Sequence, residues 1–266
     1  MPPLSRARLP TGVELEYLDQ GSGDALLLLH GYVDSWYSFH SVLEALPDTV
    51  RAIAPSQRGH GSSDKPPADY AMTDFADDAF ALLDHLGIER ALVCGHSMGT
   101  LIAQELALSH PHRVSRLVLI CGATTGDNDV VREFFEHVRD VEDPVDREFA
   151  RAFQAGTVAT PLCDAEFDAI MAETMKVPAR VWRGALAGIM AWRPPRPLRE
   201  VACPTFIAWG DEDGIFPVSE QYALRDQIPD STLRIYRTGH ALHWEQPAEF
   251  AADLLAFAAG RPLPAR

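Results

Sequence analysis

The order of apolar and amphipathic segments predicts an α/β protein built on a mostly parallel sheet flanked by helices. Short apolar runs at 25–29, 50–54, 91–94, 117–121 and 205–209 have the length and unbroken hydrophobicity of strands buried on both faces. Longer amphipathic segments separate them, which is the alternation of a doubly wound sheet. The rhythm stops between 124 and 198, where helix-like periodicity continues without a buried strand, and it resumes at Pro204-Thr205-Phe206-Ile207. A helical insertion therefore interrupts one α/β core.

The spacing predicts helices over 35–46, 73–86, 98–109, 218–227 and 247–257. Thr73 is the expected N-cap of the second and Gly87 its stop. Pro111 halts the third, and Pro247 opens the last at a position where its missing N–H costs nothing. The insertion closes with Trp192-Arg193-Pro194-Pro195-Arg196-Pro197, which no helix interior tolerates. A strand-like run at 233–236 precedes the last helix.

Composition excludes several classes. The 266 residues carry a formal net charge of -15, with 38 acids against 23 bases. Nucleic-acid affinity rests on clustered Lys and Arg, so neither a phosphate backbone nor a basic membrane-surface helix fits. The four cysteines, Cys94, Cys121, Cys163 and Cys203, show no C-x-x-C or Cys/His zinc spacing. Cys94 and Cys121 sit in apolar runs and read as buried thiols. No metal and no cofactor are expected. The N-terminal stretch lacks the apolar core of a signal peptide and no run of 18 apolar residues exists, so a reduced cytoplasmic location is the default expectation. The sequence leaves the oligomeric state open.

The most informative stretch is Leu92-Val93-Cys94-Gly95-His96-Ser97-Met98-Gly99. It reads strand, G-x-S-x-G, helix, the context a nucleophile elbow needs. Ser97 falls on the strained turn, and the helix N-terminus beside it offers main-chain N–H groups and a positive dipole end.

His30-Gly31, Arg58-Gly59-His60-Gly61, Gly95-His96-Ser97-Met98-Gly99, Gly210-Asp211-Glu212-Asp213 and Gly239-His240 follow one another in an order that resembles the α/β-hydrolase superfamily, in its serine-nucleophile esterase and lactonase branches. The resemblance spans the chain except the insertion, where position and helicity alone match. It implies the α/β-hydrolase fold, with a core at 1–123 and 199–266 and a helical cap, or lid, at 124–198.

A serine hydroxyl needs a base, usually histidine. His240 follows Gly239 between a strand-like run and the last helix, in a stretch that looks like the family's catalytic-histidine loop. His243 is the rival, otherwise a loop or pocket-rim histidine. His30 and His96 beside motif glycines suit packing or local hydrogen bonds, and His110 and His112 suit surface polarity. The acid that holds the base falls, by the family's spacing, on Asp213. Asp211 is the alternative, and Asp127 and Asp129 are distant candidates for an acid after the strand that follows the elbow helix. The resemblance also implies an oxyanion hole made by the backbone N–H groups of Tyr32 and Met98. The Tyr32 side chain either lines the pocket or packs in the core.

Two positions depart from the family pattern. Ser56 stands where an Asp is frequent, and Thr100 where another glycine is frequent. The stretch from His30 to Tyr37 also resembles epoxide hydrolases and haloalkane dehalogenases, which use an aspartate nucleophile. Ser97 occupies that position here and does not suit their ester-intermediate chemistry.

The insertion carries Phe134, Phe135, Phe149, Phe153, Phe167, Met171, Met175, Trp182, Met190 and Trp192. Phe167, Met171 and Met175 recur on one helix face. Two readings stay open: packing between cap helices, or an apolar substrate wall in which Trp182, Met175, Met171 and Phe153 are the candidate contacts. The function expected is cofactor-free hydrolysis of a hydrophobic small-molecule ester or lactone by Ser97, Asp213 and His240 through an acyl-enzyme. An acylated-lactone lactonase, a C–C bond hydrolase and a cofactor-free perhydrolase are rivals of the same class. A non-turnover ligand receptor on the same fold is the rival from another class.

Overall fold

A computed structural model describes residues 3–264. Eight strands, β1 (Ser5–Arg8), β2 (Glu14–Gln20), β3 (Asp24–Leu29), β4 (Val50–Pro55), β5 (Ala91–His96), β6 (Val114–Ile120), β7 (Thr205–Gly210) and β8 (Ser231–Tyr236), form one sheet in the order β1-β2-β4-β3-β5-β6-β7-β8. β2 runs antiparallel to both β1 and β4, and every other neighbouring pair is parallel.

The central strands are buried on both faces, and their side chains divide by the two-residue period of a strand. Leu27, Leu29, Val93, Leu117, Leu119 and Ile207 face one apolar cluster. Leu26, Leu28, Cys94, Val118, Ile120 and Phe206 face the other. The first cluster is closed by α2 (Met72–His85) and α3 (Met98–Ser109), which pack on each other. The second is closed by α1 (His40–Ala45) and by the terminal helix α10 (Pro247–Ala258), through Val42, Leu43, Phe250 and Leu254. Between β6 and β7 run four helices, α4 (Asp129–Val138), α5 (Arg147–Ala155), α6 (Asp164–Thr174) and α7 (Ala179–Ala191). α8 (Val218–Gln227) follows β7, and α9 (Leu242–Glu245) is a single turn before α10. No helix among the described residues is long and apolar enough to cross a membrane.

Three local expectations change. The segment 35–46 is a 3-10 turn, Trp36–Phe39, followed by the short α1, not one helix. Ser35 starts that turn by accepting from the Tyr37 N–H at 3.1 Å. The helix expected to begin after Thr73 begins at Met72, because the Asp74 carboxylate reaches back to the Ala71 N–H at 2.8 Å and caps the end from inside. β1 and β2 had no counterpart in the sequence reading. They form an antiparallel edge in which charged residues interrupt the apolar ones, so no continuous run marks them.

The loop after β4 is anchored by a buried ion pair. Arg58 forks onto the Asp78 carboxylate of α2, Nε to Oδ2 at 2.6 Å and Nη2 to Oδ1 at 2.8 Å. Both side chains are nearly inaccessible. Arg58→Ala leaves the Asp78 charge buried without its cation, and such a loss costs about 3–5 kcal/mol. Urea unfolding of the variant is expected to show that decrease, and a midpoint unchanged from wild type would refute the anchoring role.

Candidate active site

The site is organised by the turn between β5 and α3. Ser97 sits there at φ 51° and ψ -115°, outside the regions L-residues favour. Its N–H donates to the Ile120 carbonyl at 3.0 Å. Its own carbonyl accepts from the Thr100 N–H at 2.8 Å and the Thr100 hydroxyl at 2.6 Å. Thr100, where relatives often carry glycine, thus adds a clasp to the turn. The flanking glycines are required by close approach. A Cβ on Gly95 would lie 2.1 Å from the Gly99 carbonyl oxygen, and one on Gly99 would lie 2.1 Å from the Leu29 carbonyl oxygen. Strand, turn and helix touch here with no room for a side chain, and the turn lifts Ser97 into a cavity.

That cavity holds about 420 Å³. Ser97, Met98 and Tyr32 form one side, Ile215 and Phe216 another, and Val131, Phe134, Phe153 and Ile189 from the inserted helices face them. No lysine, arginine or carboxylate is among its lining residues. Val130, at 46% exposure, and the exposed His137 stand at its α4 side.

Asp213 and His240 come from the loops after β7 and β8. The Asp213 Oδ2 accepts from His240 Nδ1 at 2.9 Å. Its Oδ1 accepts from the Ile215 and Phe216 N–H groups at 2.8 and 3.1 Å, so the loop's own backbone aims the carboxylate. With Nδ1–H committed to Asp213, the His240 Nε2 carries the lone pair. It is buried and makes no hydrogen bond among the described residues, Ser97 Oγ included. Phe216 both lines the cavity and packs on the His240 ring at 5.8 Å, which sets the imidazole against the cavity wall. The Cys121 thiol, just beyond β6, also donates to Asp213, and burial holds it protonated. Cys121, Asp213 and His240 are the one cluster of metal-ligand type among the described residues, and the Cys121 thiol and His240 Nδ1–H are both spent on the Asp213 carboxylate.

The turn after β3 is built by His30, whose Nδ1–H donates to the Gly31 carbonyl at 2.8 Å while Nε2 accepts from the Gln57 N–H at 2.9 Å. Among the described residues neither the Tyr32 N–H nor the Met98 N–H has a hydrogen-bond partner. Met98 opens α3, so its N–H is one of the free donors of a helix start. The two alternatives for the Tyr32 side chain do not exclude each other: it lines the cavity and belongs to the buried apolar cluster, and its hydroxyl donates to the Trp182 carbonyl at 2.6 Å.

Behind the site lies a buried polar layer. His96 donates from Nε2 to the His240 carbonyl at 3.1 Å and packs between the His240 and His243 rings at 5.0 and 4.3 Å. His243 meets the Ser38 hydroxyl at 3.0 Å. Burial pulls His243 down to about 3 and keeps His96 far below the usual histidine range. Asp34, 5% exposed, faces His96 Nδ1 across 4.0 Å and has no cation beside it. Burial pushes its carboxyl up to about 7, against the opposing pull of hydrogen bonds from Gln154 and Ser38.

Several expected residues lie elsewhere. His243 is fully buried, not on a loop surface or pocket rim. Asp211 is exposed. Asp127 is taken by Arg132 and Arg193, and Asp129 is solvated beside Arg132, so neither meets His240. Of the four expected substrate contacts only Phe153 lines the cavity. Trp182 is fully buried behind it, against Tyr32, Phe149 and Phe153. Met171 is fully buried too, and Met175 is partly buried against the same core. Their helix face packs inward, as an i, i+4 stripe usually does. Val131, Ile189, Ile215 and Phe216 were missed. Phe216 had a signal, three residues past Asp213 on one loop, whereas the others come together only when the inserted helices fold over the sheet.

The family model for the alpha/beta hydrolase fold matches residues 24–154. A 2-hydroxymuconate semialdehyde hydrolase from Pseudomonas sp. strain CF600 is 31% identical over 94% of this chain and 92% of its own. The chain belongs to the alpha/beta hydrolase family. Two solved structures share its fold. The esterase RhEst1 from Rhodococcus sp. ECU1013 gives a TM-score of 0.88 at 24% identity, over 97% of this chain and 99% of the other. The enol-lactonase from Burkholderia xenovorans LB400 gives 0.87 at 21% identity, over 96% and 100%.

Phe153→Ala is expected to lower kcat/KM for a long apolar ester roughly 10- to 100-fold relative to a short one, since one such contact is worth about 1.5–3 kcal/mol. Trp182→Ala is expected instead to cost about 3–5 kcal/mol of stability and to affect both esters alike. The long-to-short ratio, measured beside a melting curve, separates the two; a shifted ratio in Trp182→Ala would reverse the assignment.

Asp34 also makes stability depend on pH. Its folded value of about 7 lies above the ordinary 3.8, so between those values the folded state binds more protons and stability falls as pH rises. The groups facing it are Gln154, Ser38, His96, Glu173 and, at longer range, His240. Asp34→Asn removes the titration. The stability of wild type minus that of the variant is expected to fall between pH 4 and 8 by up to about 4 kcal/mol. A difference that stays flat with pH would show the carboxyl to be ordinary.

Proposed function

We propose that this chain hydrolyses carboxylic esters, lactones among them, of neutral apolar small molecules, with Ser97 as nucleophile, His240 as base and Asp213 as the acid that orients it. The observation that carries the reading is the elbow serine opening into a cavity without charged side chains, with an Asp213–His240 pair behind its wall. Ser97 Oγ attacks the substrate carbonyl carbon as His240 Nε2 takes the hydroxyl proton. The carbonyl oxygen becomes the oxyanion, received by the N–H groups of Tyr32 and Met98. His240 returns the proton to the departing alkoxide, which leaves as alcohol, and the acyl group stays on Ser97. Water then attacks the acyl carbon, gives its proton to His240, and Ser97 regains it as the acid departs. The cycle needs a Ser97–His240 hydrogen bond, and such bonds often tighten only around a bound substrate.

A C–C hydrolase is the second reading, favoured by the similarity to the 2-hydroxymuconate semialdehyde hydrolase. That substrate is by its name a carboxylate, and the cavity here offers no lysine or arginine to hold one. The ester reading is therefore preferred.

Turnover of 4-nitrophenyl esters of increasing chain length, beside lactones and a muconate-type semialdehyde, tests the reading. Ser97→Ala is expected to lose roughly 10⁴- to 10⁶-fold in kcat while remaining folded. Asp213→Asn is expected to lose on the order of 10⁴-fold and Asp211→Asn far less. A folded Ser97→Ala retaining a tenth of the activity would remove the nucleophile. Binding without turnover would make the protein a receptor, and turnover of the semialdehyde alone would establish the second reading.

A further inference from the structure

Asp34 is a buried carboxyl without a cation. Four other buried carboxylates have a cation, an imidazole or an indole beside them: Asp78 has Arg58, Asp253 has Arg234, Asp213 has His240 and Glu105 has the Trp192 indole, while Glu16 accepts from the Ser62 N–H at 3.2 Å. What Asp34 has is the inserted helical segment. Gln154, 1% exposed on α5, donates from Nε2 to Asp34 Oδ1 at 3.0 Å and to the Thr174 hydroxyl at 2.8 Å. Thr174 closes the chain on the Ile170 carbonyl of α6. Asp34 is the last residue of the turn that presents the Tyr32 N–H, and its own N–H reaches the Gly31 carbonyl at 3.4 Å. Between them Val33 is held at φ 57°, a conformation a β-branched residue adopts only under constraint.

The same stretch of α5 touches the other side of the site. Just past Gln154, the Thr157 carbonyl accepts from the Ala241 N–H at 2.8 Å, next to His240. One residue before it, Phe153 lines the cavity and packs edge-on to Tyr32 at 5.6 Å. Phe153, Gln154 and Thr157, at and just past the end of α5, thus meet the cavity, the turn after β3 and the histidine loop.

We infer that Asp34 and Gln154 are positioning residues: their hydrogen bond ties the end of α5 to the strained turn and so aims the Tyr32 N–H at the oxyanion. The inference rests on the oxyanion role given to Tyr32 above. A direct consequence is that what fills the cavity against Phe153 is felt at the oxyanion donor. A side chain that merely held the cap closed would matter for long substrates alone, whereas one that aims the donor matters for every ester, including those too short to reach the cap.

The experiment compares 4-nitrophenyl acetate with 4-nitrophenyl octanoate in wild type, Asp34→Ala, Gln154→Ala and Asp34→Asn, and follows amide hydrogen exchange of residues 31–34 in wild type and Gln154→Ala. For the acetate, kcat is expected to fall about tenfold to a hundredfold in both alanine variants, as a misplaced catalytic group costs, with KM little changed. Asp34→Asn keeps an oxygen for Gln154 and is expected to recover most of that loss. The turn amides are expected to exchange faster in Gln154→Ala. Should Asp34→Ala not fold, Gln154→Ala decides by itself. Unchanged acetate kcat with a raised octanoate KM would overturn the inference and leave Gln154 a cap contact. Unchanged exchange in Gln154→Ala would overturn it whatever the activity. Ester turnover that survives Ser97→Ala would instead overturn the reading of the site.

Discussion

The close crossing of β3, β5 and α3 is the constraint on which the rest depends. Ser97 takes a backbone conformation that costs on the order of 1–3 kcal/mol, and it keeps that conformation because the elements on either side leave it no alternative. Gly95 and Gly99 remove the two side chains that would hold strand and helix apart. The sheet fixes β5 between β3 and β6, and Thr100 clasps the Ser97 carbonyl. A serine placed this way stands clear of its own backbone, next to the free N–H of Met98. The strain is local, while the packing that sustains it is spread over the whole sheet.

Around that turn the molecule separates two environments. In front, the cavity is lined by aromatic and aliphatic side chains, with Phe216 marking the border to His240. Behind, His96, His243, Ser38, Asp34 and Gln154 form a dry polar layer. Low dielectric strengthens each hydrogen bond in that layer and penalises each group that lacks one. This is why the layer orders the loops after β3 and β8, and why histidines there are held neutral and Asp34 is pushed toward its protonated form. Asp213 is the one carboxylate among the described residues that hydrogen-bonds the His240 imidazole.

The inserted helices contribute to both environments. Phe134 stacks on Phe149 and on Phe153, Phe134 and Phe153 meet Tyr32 edge-on, and Phe149 meets Trp182 at a tilt, while Gln154 and Thr174 enter the polar layer. One segment thus lines the cavity and braces the turn after β3.

The parallel core was legible from the sequence because a strand buried on both faces must be apolar at every position, and five such runs stood out. Ser97 was legible because a glycine-flanked serine between strand and helix has one demanding geometry. Asp213 and His240 followed through family resemblance, and the structure brings them within 2.9 Å. The edge strands β1 and β2 were not legible, since an edge tolerates charge and so loses its apolar signature. Nor was the lining that the inserted helices give the cavity: Met171 and Trp182 have the composition of a cavity wall and the burial of core. Residues such as Val131, Ile189 and Ile215 meet only in three dimensions, as does the pairing of Asp34 with Gln154, 120 positions apart. Local sequence determines which backbone conformations and hydrophobic periods are allowed. Which faces of separate helices end up against the cavity, the core or a buried carboxyl is decided by tertiary packing, because that choice is made between elements and is encoded in none of them alone.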